Sequence, residues 1–241
     1  MNNANIDEIC VKSFSQHGED ALVLKIFSGK TNGFFVEVGA NDPTALSQTY
    51  LLEQQGWRGI LVEPQSKCCD RLRALRPRSQ IFQVACGAPE ECGTAMLQIS
   101  DDDTVSKLAA HKPEAAPVTR VEKVQVMTLD QVLAKAGNPQ LDFISIDVEG
   151  FEYNVLRGFN LRQHQPRLLL VEDNLPNRLK VHRHIKQQGY RLVKRTGCNN
   201  WYVPHGQAFA YSSAWERLRI FRKMYLGTAF RNLKTWLRPM Q

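Results

Sequence analysis

The sequence lacks any apolar run long enough to span a bilayer, which takes about 20 residues, and its first segment, MNNANIDEIC, is polar. These two absences predict a cytoplasmic protein that is neither secreted nor membrane-spanning. Apolar residues are not scarce overall, since hydrophobic residues make up 43% of the chain and charged residues 23%. Both values are typical of globular proteins, so we expect the 241 residues to bury one substantial core.

The spacing of a metal site or a disulfide framework is also missing from the six cysteines. They contain no C-x-x-C pair, and Cys68 and Cys69 are adjacent, an arrangement that suits neither a zinc site nor a set of disulfide bonds. We therefore expect reduced thiols, as in other cytosolic proteins.

Glycine is scarce where a dinucleotide or a nucleoside triphosphate would need it. Residues 34–43, FFVEVGANDP, join an apolar run to a turn with a single glycine, whereas the dinucleotide fingerprint G-x-G-x-x-G has three. Residues 29–31, GKT, imitate the end of a phosphate loop, but they precede the apolar run, and Leu24 stands where the earlier glycine is needed. These absences exclude ATP or GTP binding and argue against a nucleotide-sugar oxidoreductase.

What the same segment does have is the pattern of a buried strand that leads into a ligand-binding turn. In open α/β sheets the ligand lies just beyond the carboxyl end of such a strand, and Gly39 permits a close approach of the backbone. An acidic turn suits a cationic cofactor without phosphate, and S-adenosylmethionine, with its sulfonium and amino groups, fits that description. We expect Glu37 near the methionine end and Glu63, which ends the next strand, on both ribose hydroxyls, although solvent-facing strand ends are the alternative for both acids. The candidate cofactor-binding residues are Glu37, Gly39, Asn41, Asp42, Glu63 and Cys86.

Apolar strands alternate with helical segments along the chain, an order that predicts a parallel sheet with right-handed crossovers. The last two predicted strands flank residues 196–200, TGCNN, which are typical of a hairpin turn. We therefore predict an α/β fold, the seven-stranded Rossmann-like methyltransferase fold, with a mostly parallel sheet and a C-terminal antiparallel hairpin.

The predicted elements leave one long interruption. Residues 100–119 are polar and contain proline, so we expect an irregular excursion that is either a lid or a plain surface loop. After the first strand, strands are predicted at residues 59–63, 80–86, 95–99, 121–127, 142–147, 167–172, 190–195 and 201–203, and helices at residues 21–27, 44–55, 66–75, 129–136, 152–157 and 178–188.

Acidic and amide side chains follow two neighbouring strands of the predicted sheet. Asp147 and Glu149 come at the end of one strand, and Glu172, Asp173 and Asn174 come at the end of the next. Because the carboxyl ends of parallel strands meet at one edge of a sheet, we expect these groups to converge beside the turn after the first strand. We call this turn, residues 39–43, the cofactor turn. Carboxylates in such a cluster raise one another's pKa values unless a cation or a proton relieves the repulsion. The candidate catalytic residues are Asp147, Glu149 and Glu172.

Two mechanisms are open at this cluster, because an alcohol hydroxyl needs a base or a metal ion to become nucleophilic. In one, Asp147 or Glu149 is the general base. In the other, Asp147, Asp173 and Asn174 hold Mg²⁺, which prefers oxygen ligands. Capping of the following helix is the structural alternative for Glu149. Trp201 suits either a platform for a sugar ring or packing in the core.

Most of the net charge of +7 lies in residues 213–241, which carry seven basic residues and one acidic residue. Apolar residues recur there at helical spacing, so we predict an amphipathic basic helix that makes peripheral contact with the inner face of a membrane. A helix docked on the body of the protein or on a second copy is the alternative. The near-neutral remainder lacks an extended positive face, so no nucleic acid partner is expected. The predicted boundaries are a lead-in at residues 1–14, the main domain at 15–204 and the helical tail at 213–241.

Five sequence motifs are spread over most of the main domain: SQHGED at residues 15–20, FVEVGAND at 35–42, LVEP at 61–64, TLD at 128–130 and ISIDVEGFEYNVLRG at 144–158. Together they resemble the FkbM family of S-adenosylmethionine-dependent O-methyltransferases. The resemblance implies methylation of a hydroxyl on a polyketide, a lipopolysaccharide or another sugar. In size and layout the chain is similar to rhizobial members that methylate the 2-hydroxyl of fucose on lipo-chitooligosaccharide nodulation signals. Pro43 departs from the pattern, because many relatives have glycine there.

The partners that this resemblance implies are S-adenosylmethionine and a glycan or lipo-oligosaccharide acceptor. A hydroxyl of a polyketide or another small molecule is the alternative acceptor. A protein that binds S-adenosylmethionine without catalysis is a further alternative, which the retained carboxylates disfavour.

Overall fold

The computed structural model describes residues 12–100, 106–108, 118–173 and 177–222. The strands in these ranges are β1 Phe34–Val38, β2 Arg58–Val62, β3 Ser79–Phe82, β4 Ala85–Cys86, β5 Gly93–Ser100, β6 Ser106–Leu108, β7 Val118–Met127, β8 Phe143–Ile146, β9 Leu168–Glu172, β10 Tyr190–Thr196 and β11 Asn199–Pro204. The helices are α1 Glu19–Ile26, α2 Tyr50–Gln54, α3 Ser66–Leu75, α4 Leu129–Lys135, α5 Glu152–Arg157, α6 Leu161–His164, α7 Arg178–Gln187 and α8 Ala214–Phe221, with a 3₁₀-helix at Pro89–Glu91.

Seven strands form the main sheet in the order β10-β11-β9-β8-β1-β2-β3. β1 is parallel to β2 and β8, β2 is parallel to β3, and β8 is parallel to β9. β11 is antiparallel to both β9 and β10. The predicted α/β fold, with its mostly parallel seven-stranded sheet and C-terminal antiparallel hairpin, is confirmed.

The register of the parallel strands brings their carboxyl ends to one edge of the sheet. Val38 lies opposite Val62 on one side and Ile146 on the other, and Ile146 lies opposite Val171. The residues that follow β1, β2, β8 and β9 therefore lie side by side, as expected for the ligand-binding edge of an open α/β sheet.

Each face of the main sheet is covered by its own hydrophobic core. Phe35 packs in one core and Val36 in the other, because successive side chains of a strand point to opposite faces. Both faces are buried, which explains why the central strands are apolar throughout. Trp201 is fully buried in one of these cores, and its indole N–H donates to the Thr196 hydroxyl (2.9 Å). Trp201 is therefore a core residue and not a sugar platform.

A second, smaller sheet contains β4, β7, β5 and β6 in that order. The sequence predicts only two short strands in this region, but β5 and β7 form a long antiparallel ladder, from Gly93 opposite Val126 to Ser100 opposite Val118. β6 pairs with β5 inside the predicted excursion, and the rest of that excursion lies outside the described residues. The predicted strand at residues 80–86 is divided between the two sheets as β3 and β4.

The second sheet contacts the start of α3. Glu122, on β7, accepts hydrogen bonds from the backbone N–H of Ser66 (3.1 Å) and from its hydroxyl (3.0 Å). A carboxylate in this position also complements the positive end of the helix dipole. Because α3 follows β2, this contact places the second sheet beside the β2 end of the carboxyl edge of the main sheet.

The helix after β1 begins later than predicted. The sequence predicts helix over residues 44–55, whereas α2 spans Tyr50–Gln54. Asp42 Oδ1 accepts the backbone N–H groups of Thr44 (2.9 Å) and Ala45 (2.8 Å), and such a turn competes with helix formation. Leu46 has φ +60°, which is outside the helical region. An irregular loop therefore separates β1 from α2.

Among the helices of the described residues, none combines the length and the apolar character needed to cross a membrane. α8 covers the start of the predicted tail helix. Residues 223–241 of the predicted tail and residues 1–11 of the predicted lead-in lie outside the described residues.

Candidate active site

The turn after β1 packs directly against the end of β8. Gly39 has φ +87°, and a Cβ on it would overlap the carbonyl oxygen of Asp147 and lie 2.9 Å from the carbonyl carbon. The Gly39 N–H donates to the carbonyl of Val62, at the end of β2 (2.9 Å). Close packing of strand ends therefore requires glycine at this position, a reason that the sequence alone does not reveal. The role of Gly39 in admitting a ligand stays a prediction.

Glu37, on β1, is buried, and the loop before α2 engages its carboxylate. Oε1 accepts the backbone N–H of Gln48 (2.8 Å), and Oε2 accepts the hydroxyls of Ser47 (3.2 Å) and Thr49 (2.5 Å). Burial raises the pKa of Glu37, and the guanidinium of Arg76 opposes that rise. Glu37 therefore holds this loop in place, and its predicted contact with the methionine end of a cofactor stays a prediction.

Arg76, which follows α3, completes a buried polar network under the same loop. Its guanidinium donates to Glu53 (2.7 Å), to the hydroxyl of Thr49 (2.9 Å) and to the carbonyl of Pro43 (3.2 Å). Only 1% of Arg76 and 5% of Glu53 are exposed, so each ion depends on the other for its charge balance. One buried cation thus orients the loop that joins the cofactor turn to α2.

Glu63 follows β2 and faces the cofactor turn. Its Oε2 accepts the backbone N–H of Asn41 (3.0 Å), and its Oε1 accepts that of Gln65 (2.9 Å). Burial raises the pKa of Glu63 to about 6, the two N–H groups oppose the rise, and the charge of Glu122 adds to it. Each carboxylate oxygen has a second lone pair, so Glu63 is able to accept hydrogen bonds from a diol as well.

Two other predicted cofactor-binding residues have structural partners. Burial alone would raise the pKa of Asp42, but the N–H groups of Thr44 and Ala45 and the Arg71 guanidinium together lower it. Asp42 therefore shapes the turn and pairs with Arg71. Cys86 is buried in a hydrophobic core, and this burial raises the pKa of its thiol to about 12. Contacts of Asp42 and Cys86 with a cofactor stay predictions.

Three carboxylates meet beyond the ends of β8 and β9. One oxygen from each of Asp147, Glu149 and Glu172 lies within 4.8 Å of the others. Burial raises the pKa of Asp147 well above its ordinary value, and the charges of Glu172, Glu149 and Glu37 raise it further. Glu149 is exposed and has φ +52°, a left-handed conformation that is uncommon outside glycine and recurs at functional sites. The structure thus brings together the three residues that the sequence singles out as catalytic candidates.

Asp173 lies apart from this cluster. Its carboxylate is buried and forms ion pairs with Arg178 (2.6 Å) and Arg195. Successive side chains of an extended chain point in opposite directions, which separates Asp173 from its neighbour Glu172. The predicted Mg²⁺ ligands Asp147, Asp173 and Asn174 are therefore not seen together, since Asp173 is engaged by arginines and Asn174 lies outside the described residues.

Glu152 is a site residue that sequence reasoning missed. It is buried, and its Oε1 accepts the backbone N–H groups of Gly150 (2.8 Å) and Val148 (3.4 Å). Burial raises the pKa of Glu152 to about 7, and the nearby Asp147 contributes to the rise. Glu152 thus closes the turn that carries Glu149. The predicted alternative for Glu149, capping of the following helix, stays a prediction. An acid two residues after the turn glycine Gly150 was the available signal for Glu152.

The SQHGED motif fastens the N-terminal segment to the β10–β11 hairpin. Glu19, at the start of α1, is fully buried and accepts hydrogen bonds from the Thr196 hydroxyl (2.8 Å), the Asn199 side-chain amide (3.0 Å) and the His17 backbone N–H (2.8 Å). His17 packs on Gly197, where a Cβ would overlap its imidazole ring. These contacts of Glu19 and His17 with the hairpin, which we call the clip, join parts of the chain that are far apart in sequence.

The tip of this hairpin lies next to the carboxylate cluster. Asn199 is opposite Glu172 in the β9–β11 ladder. Burial raises the pKa of Cys198 to about 11, and the charges of Glu172 and Asp147 raise it as well. The clip thus brings His17 and the hairpin tip to the Glu172 side of the site, opposite the side formed by Glu63.

Residues 37–192, more than half of the chain, match the model of the methyltransferase FkbM domain. The chain belongs to the FkbM methyltransferase family. The matched region includes Glu37, Glu63 and all three carboxylates of the cluster, so the site described above lies within the family's domain. None of the curated proteins matches the chain significantly.

Several solved methyltransferase structures are similar to this chain at low sequence identity. Precorrin-6y C5,15-methyltransferase from Geobacter metallireducens GS-15 has a TM-score of 0.42 and 11% identity, covering 76% of this chain and 84% of its own. A TehB-like SAM-dependent methyltransferase from Corynebacterium glutamicum has a TM-score of 0.44 and 7% identity, covering 81% and 90%. A methyltransferase from Geobacter sulfurreducens has a TM-score of 0.43 and 12% identity, covering 77% of each chain.

Membership of the FkbM family implies S-adenosylmethionine as the cofactor, and the residues at the carboxyl edge of the sheet fit it. Glu63 is able to accept from two hydroxyls, and the cluster around Asp147 offers negative charge to a cation. Gly39 and Asn41 both have positive φ, and the turn that they form lacks the phosphate-binding glycine pattern.

Proposed function

We propose that this FkbM methyltransferase is an O-methyltransferase that acts on a sugar hydroxyl of a glycan or lipo-oligosaccharide. The observation that carries the proposal is the cluster of Asp147, Glu149 and Glu172 beside the cofactor turn, with the pKa of Asp147 raised well above its ordinary value. A carboxylate with a raised pKa is a stronger base than usual, which is what the weakly acidic hydroxyl of a sugar needs.

Asp147 is the proposed general base. When bound, S-adenosylmethionine supplies an electrophilic methyl group on a positive sulfur. Asp147 would accept the proton of the acceptor hydroxyl. The bond from the hydroxyl oxygen to the methyl carbon would form as the carbon–sulfur bond of the donor breaks, which leaves the methylated acceptor neutral and the sulfur as a neutral thioether. Glu172 shares a side-chain hydrogen bond with Asp147. The negative charges of Glu172 and Glu149 also keep the pKa of Asp147 high.

The remaining carboxylates are proposed to bind the cofactor. Glu63 accepts hydrogen bonds from the ribose hydroxyls through the lone pairs that Asn41 and Gln65 leave free. Negative charge at the cluster complements the sulfonium and amino groups, and a bound cation relieves the mutual repulsion of the three carboxylates. Glu37 contributes indirectly, through the loop that it holds before α2.

The acceptor is proposed to enter between the carboxylate cluster and the hairpin tip. This side of the site is polar, since Glu149, Glu172 and Cys198 border it and His17 lies against the hairpin. A polar wall suits a sugar better than the apolar body of a polyketide, which is the alternative acceptor. The narrower assignment, to the 2-hydroxyl of fucose on nodulation signals, is supported by the sequence resemblance alone.

Transfer of labelled methyl groups tests the proposal. The protein is incubated with S-adenosylmethionine carrying a tritiated methyl group and, in separate reactions, with fucosylated and other oligosaccharides or with polyketides that have free hydroxyls. We expect alkali-stable label in a glycan with wild-type protein and a loss of at least a hundredfold in Asp147→Asn. Asp70→Asn, which removes an exposed carboxylate on α3, is the matched control and should retain transfer. Label in polyketide hydroxyls only would move the proposal to the alternative acceptor class.

Two outcomes would contradict the proposal more broadly. Tight binding of S-adenosylmethionine with no transfer to any hydroxyl would indicate a binding protein without catalysis. Equal transfer by wild type and Asp147→Asn would remove Asp147 as the base.

Dependence on Mg²⁺ remains a prediction from the sequence. The cluster of Asp147, Glu149 and Glu172 has the oxygen ligands that such an ion prefers, although it differs from the ligand set first predicted. Transfer is therefore measured after dialysis against a chelator and again after Mg²⁺ is restored. Unchanged turnover in chelator supports the metal-free base, whereas loss and recovery supports the ion.

A further inference from the structure

We propose that one face of α8 binds the surface of a membrane that contains anionic lipids. The face consists of Trp215, Leu218, Arg219 and Arg222, and we call it the α8 face. These residues are spaced i, i+3, i+4 and i+7, so they lie along one side of the helix. The proposal concerns this surface only and does not depend on the reaction that the protein catalyses.

The α8 face combines exposed apolar surface with positive charge. Trp215 is 67% exposed and Leu218 is 45% exposed, although large apolar side chains are usually buried. Arg219 and Arg222 are exposed beside them. Tryptophan and arginine both have an apolar part and a polar end, the combination found in helices that lie at the boundary between lipid headgroups and acyl chains.

The helix that carries this face is fixed to the body of the protein. Ser213 caps its start by accepting the Glu216 N–H (3.1 Å), and Glu216 accepts the Ser213 N–H in return (2.8 Å). The Glu216 carboxylate also pairs with Lys194 on β10 (2.7 Å). Glu216 is the single acidic residue of residues 213–241, so this ion pair leaves the α8 face positive.

Charge complementarity selects an anionic lipid surface as the occupant. Residues 213–241 carry seven basic residues, and a basic segment is attracted to anionic headgroups. A second copy of the chain fits less well, because a two-fold contact would bring the positively charged arginines of both copies into one interface. Nucleic acid fits less well because Trp215 and Leu218 occupy half of the face.

Co-sedimentation of the full chain with lipid vesicles tests the proposal. We expect binding to vesicles of equal parts phosphatidylglycerol and phosphatidylcholine, and at least tenfold weaker binding to phosphatidylcholine alone. Arg219→Gln should weaken binding about fivefold, as expected for one basic residue near a charged surface. Arg217→Gln is the matched control, since Arg217 is exposed on the opposite side of the same helix, and it should change binding less than twofold.

A second pair of variants tests the apolar part of the face. Leu218→Ser should weaken vesicle binding at least threefold, whereas Leu75→Ser, which removes a leucine that is 55% exposed on α3, should not. In a Trp236→Phe background the emission of Trp215 should shift to shorter wavelength when anionic vesicles are added. Trp57 and Trp201 are fully buried and give no such shift.

Three results would overturn the proposal. Equal binding to neutral and anionic vesicles, or none to either, would remove the anionic surface as the occupant. Equal loss in each variant and its control would place binding elsewhere on the chain. A concentration-dependent dimer that Leu218→Ser dissociates, without vesicle binding by the wild type, would assign the face to contact between copies.

Discussion

Replacing Gly39 with alanine tests whether the packing of the β1 turn against β8 supports the site. The substitution has two separate costs. The first comes from the backbone, because Gly39 has φ +87° and a residue with a Cβ is disfavoured by about 1–2 kcal/mol in the left-handed region.

The second cost comes from overlap with Asp147. The new Cβ would overlap the carbonyl oxygen and lie 2.9 Å from the carbonyl carbon, whereas ordinary contacts begin at 3.4 Å. The carbon alone would have to move by about 0.5 Å, and the oxygen by more. Backbone hydrogen bonds resist this movement, since the Asp147 N–H donates to Val38 (3.0 Å) and the Gly39 N–H to Val62 (2.9 Å). Overpacking of this kind costs about 1–3 kcal/mol. We therefore expect the free energy of unfolding of Gly39→Ala to fall by about 2–5 kcal/mol, a large part of the ~5–15 kcal/mol typical of a domain.

Gly29→Ala separates the two costs. Gly29 has φ +83°, and a Cβ there meets nothing within 4 Å, so it carries the backbone strain without the overlap. Urea unfolding should give a loss of about 1–2 kcal/mol for Gly29→Ala and a further ~1–3 kcal/mol for Gly39→Ala. Methyl transfer should fall at least tenfold in Gly39→Ala, because it displaces Asp147, and stay near the wild-type rate in Gly29→Ala. Equal unfolding free energies for the two variants would refute the packing argument, and full transfer by Gly39→Ala would refute its link to the site.

Other substitutions test the buried charged groups. Methyl transfer by the wild type should rise with pH, because Asp147 is a base only when it is ionised. In Glu172→Gln the loss of a neighbouring negative charge lowers the pKa of Asp147. The acidic limb of the plot of rate against pH should therefore move to lower pH. An unmoved limb would contradict the coupling. Folding favours protonated Glu63, whose pKa is raised from 4.5 to about 6. The contribution of Glu63 to the free energy of unfolding is complete below pH 4.5 and falls by about 2 kcal/mol as the pH rises through 6. Glu63→Gln should remove this part of the pH dependence in urea titrations. Glu19→Gln should lower the free energy of unfolding by about 1–3 kcal/mol by weakening the clip to the hairpin; a stability equal to that of wild type would show that the clip is dispensable. Arg76→Met should cost about 3–5 kcal/mol in the same assay, because Glu53 stays buried without its counter-ion, and a loss below 1 kcal/mol would contradict that role.

Most of the main sheet was predictable because its strands are short apolar runs that end in acids or small residues. The segments around Val36, Leu61 and Ile144 each have buried, branched apolar side chains on both faces of the strand. A parallel sheet that is covered on both faces explains this pattern. α3 and α5 begin and end at the predicted residues. The second sheet was less predictable, because β5 and β7 are paired across the long excursion between them, and local patterns do not encode such pairing.

The site was predictable at the level of strand ends and not at the level of side-chain partners. Convergence of Asp147, Glu149 and Glu172 follows from the rule that the carboxyl ends of parallel strands meet. The engagement of Glu37 depends on the loop before α2, which Arg76 supports from another element. The separation of Asp173 from Glu172 depends on where the strand ends. Neither feature has a signal in the local sequence.

The contact between Glu19 and the hairpin joins the first turn of α1 to the last strands of the sheet. An exchange of the hairpin between family members would therefore need residues 15–20 from the same member. Otherwise the new hairpin would lack its matching contacts with Glu19 and His17. Residues 15–20 and the hairpin are therefore expected to change together among members of the family.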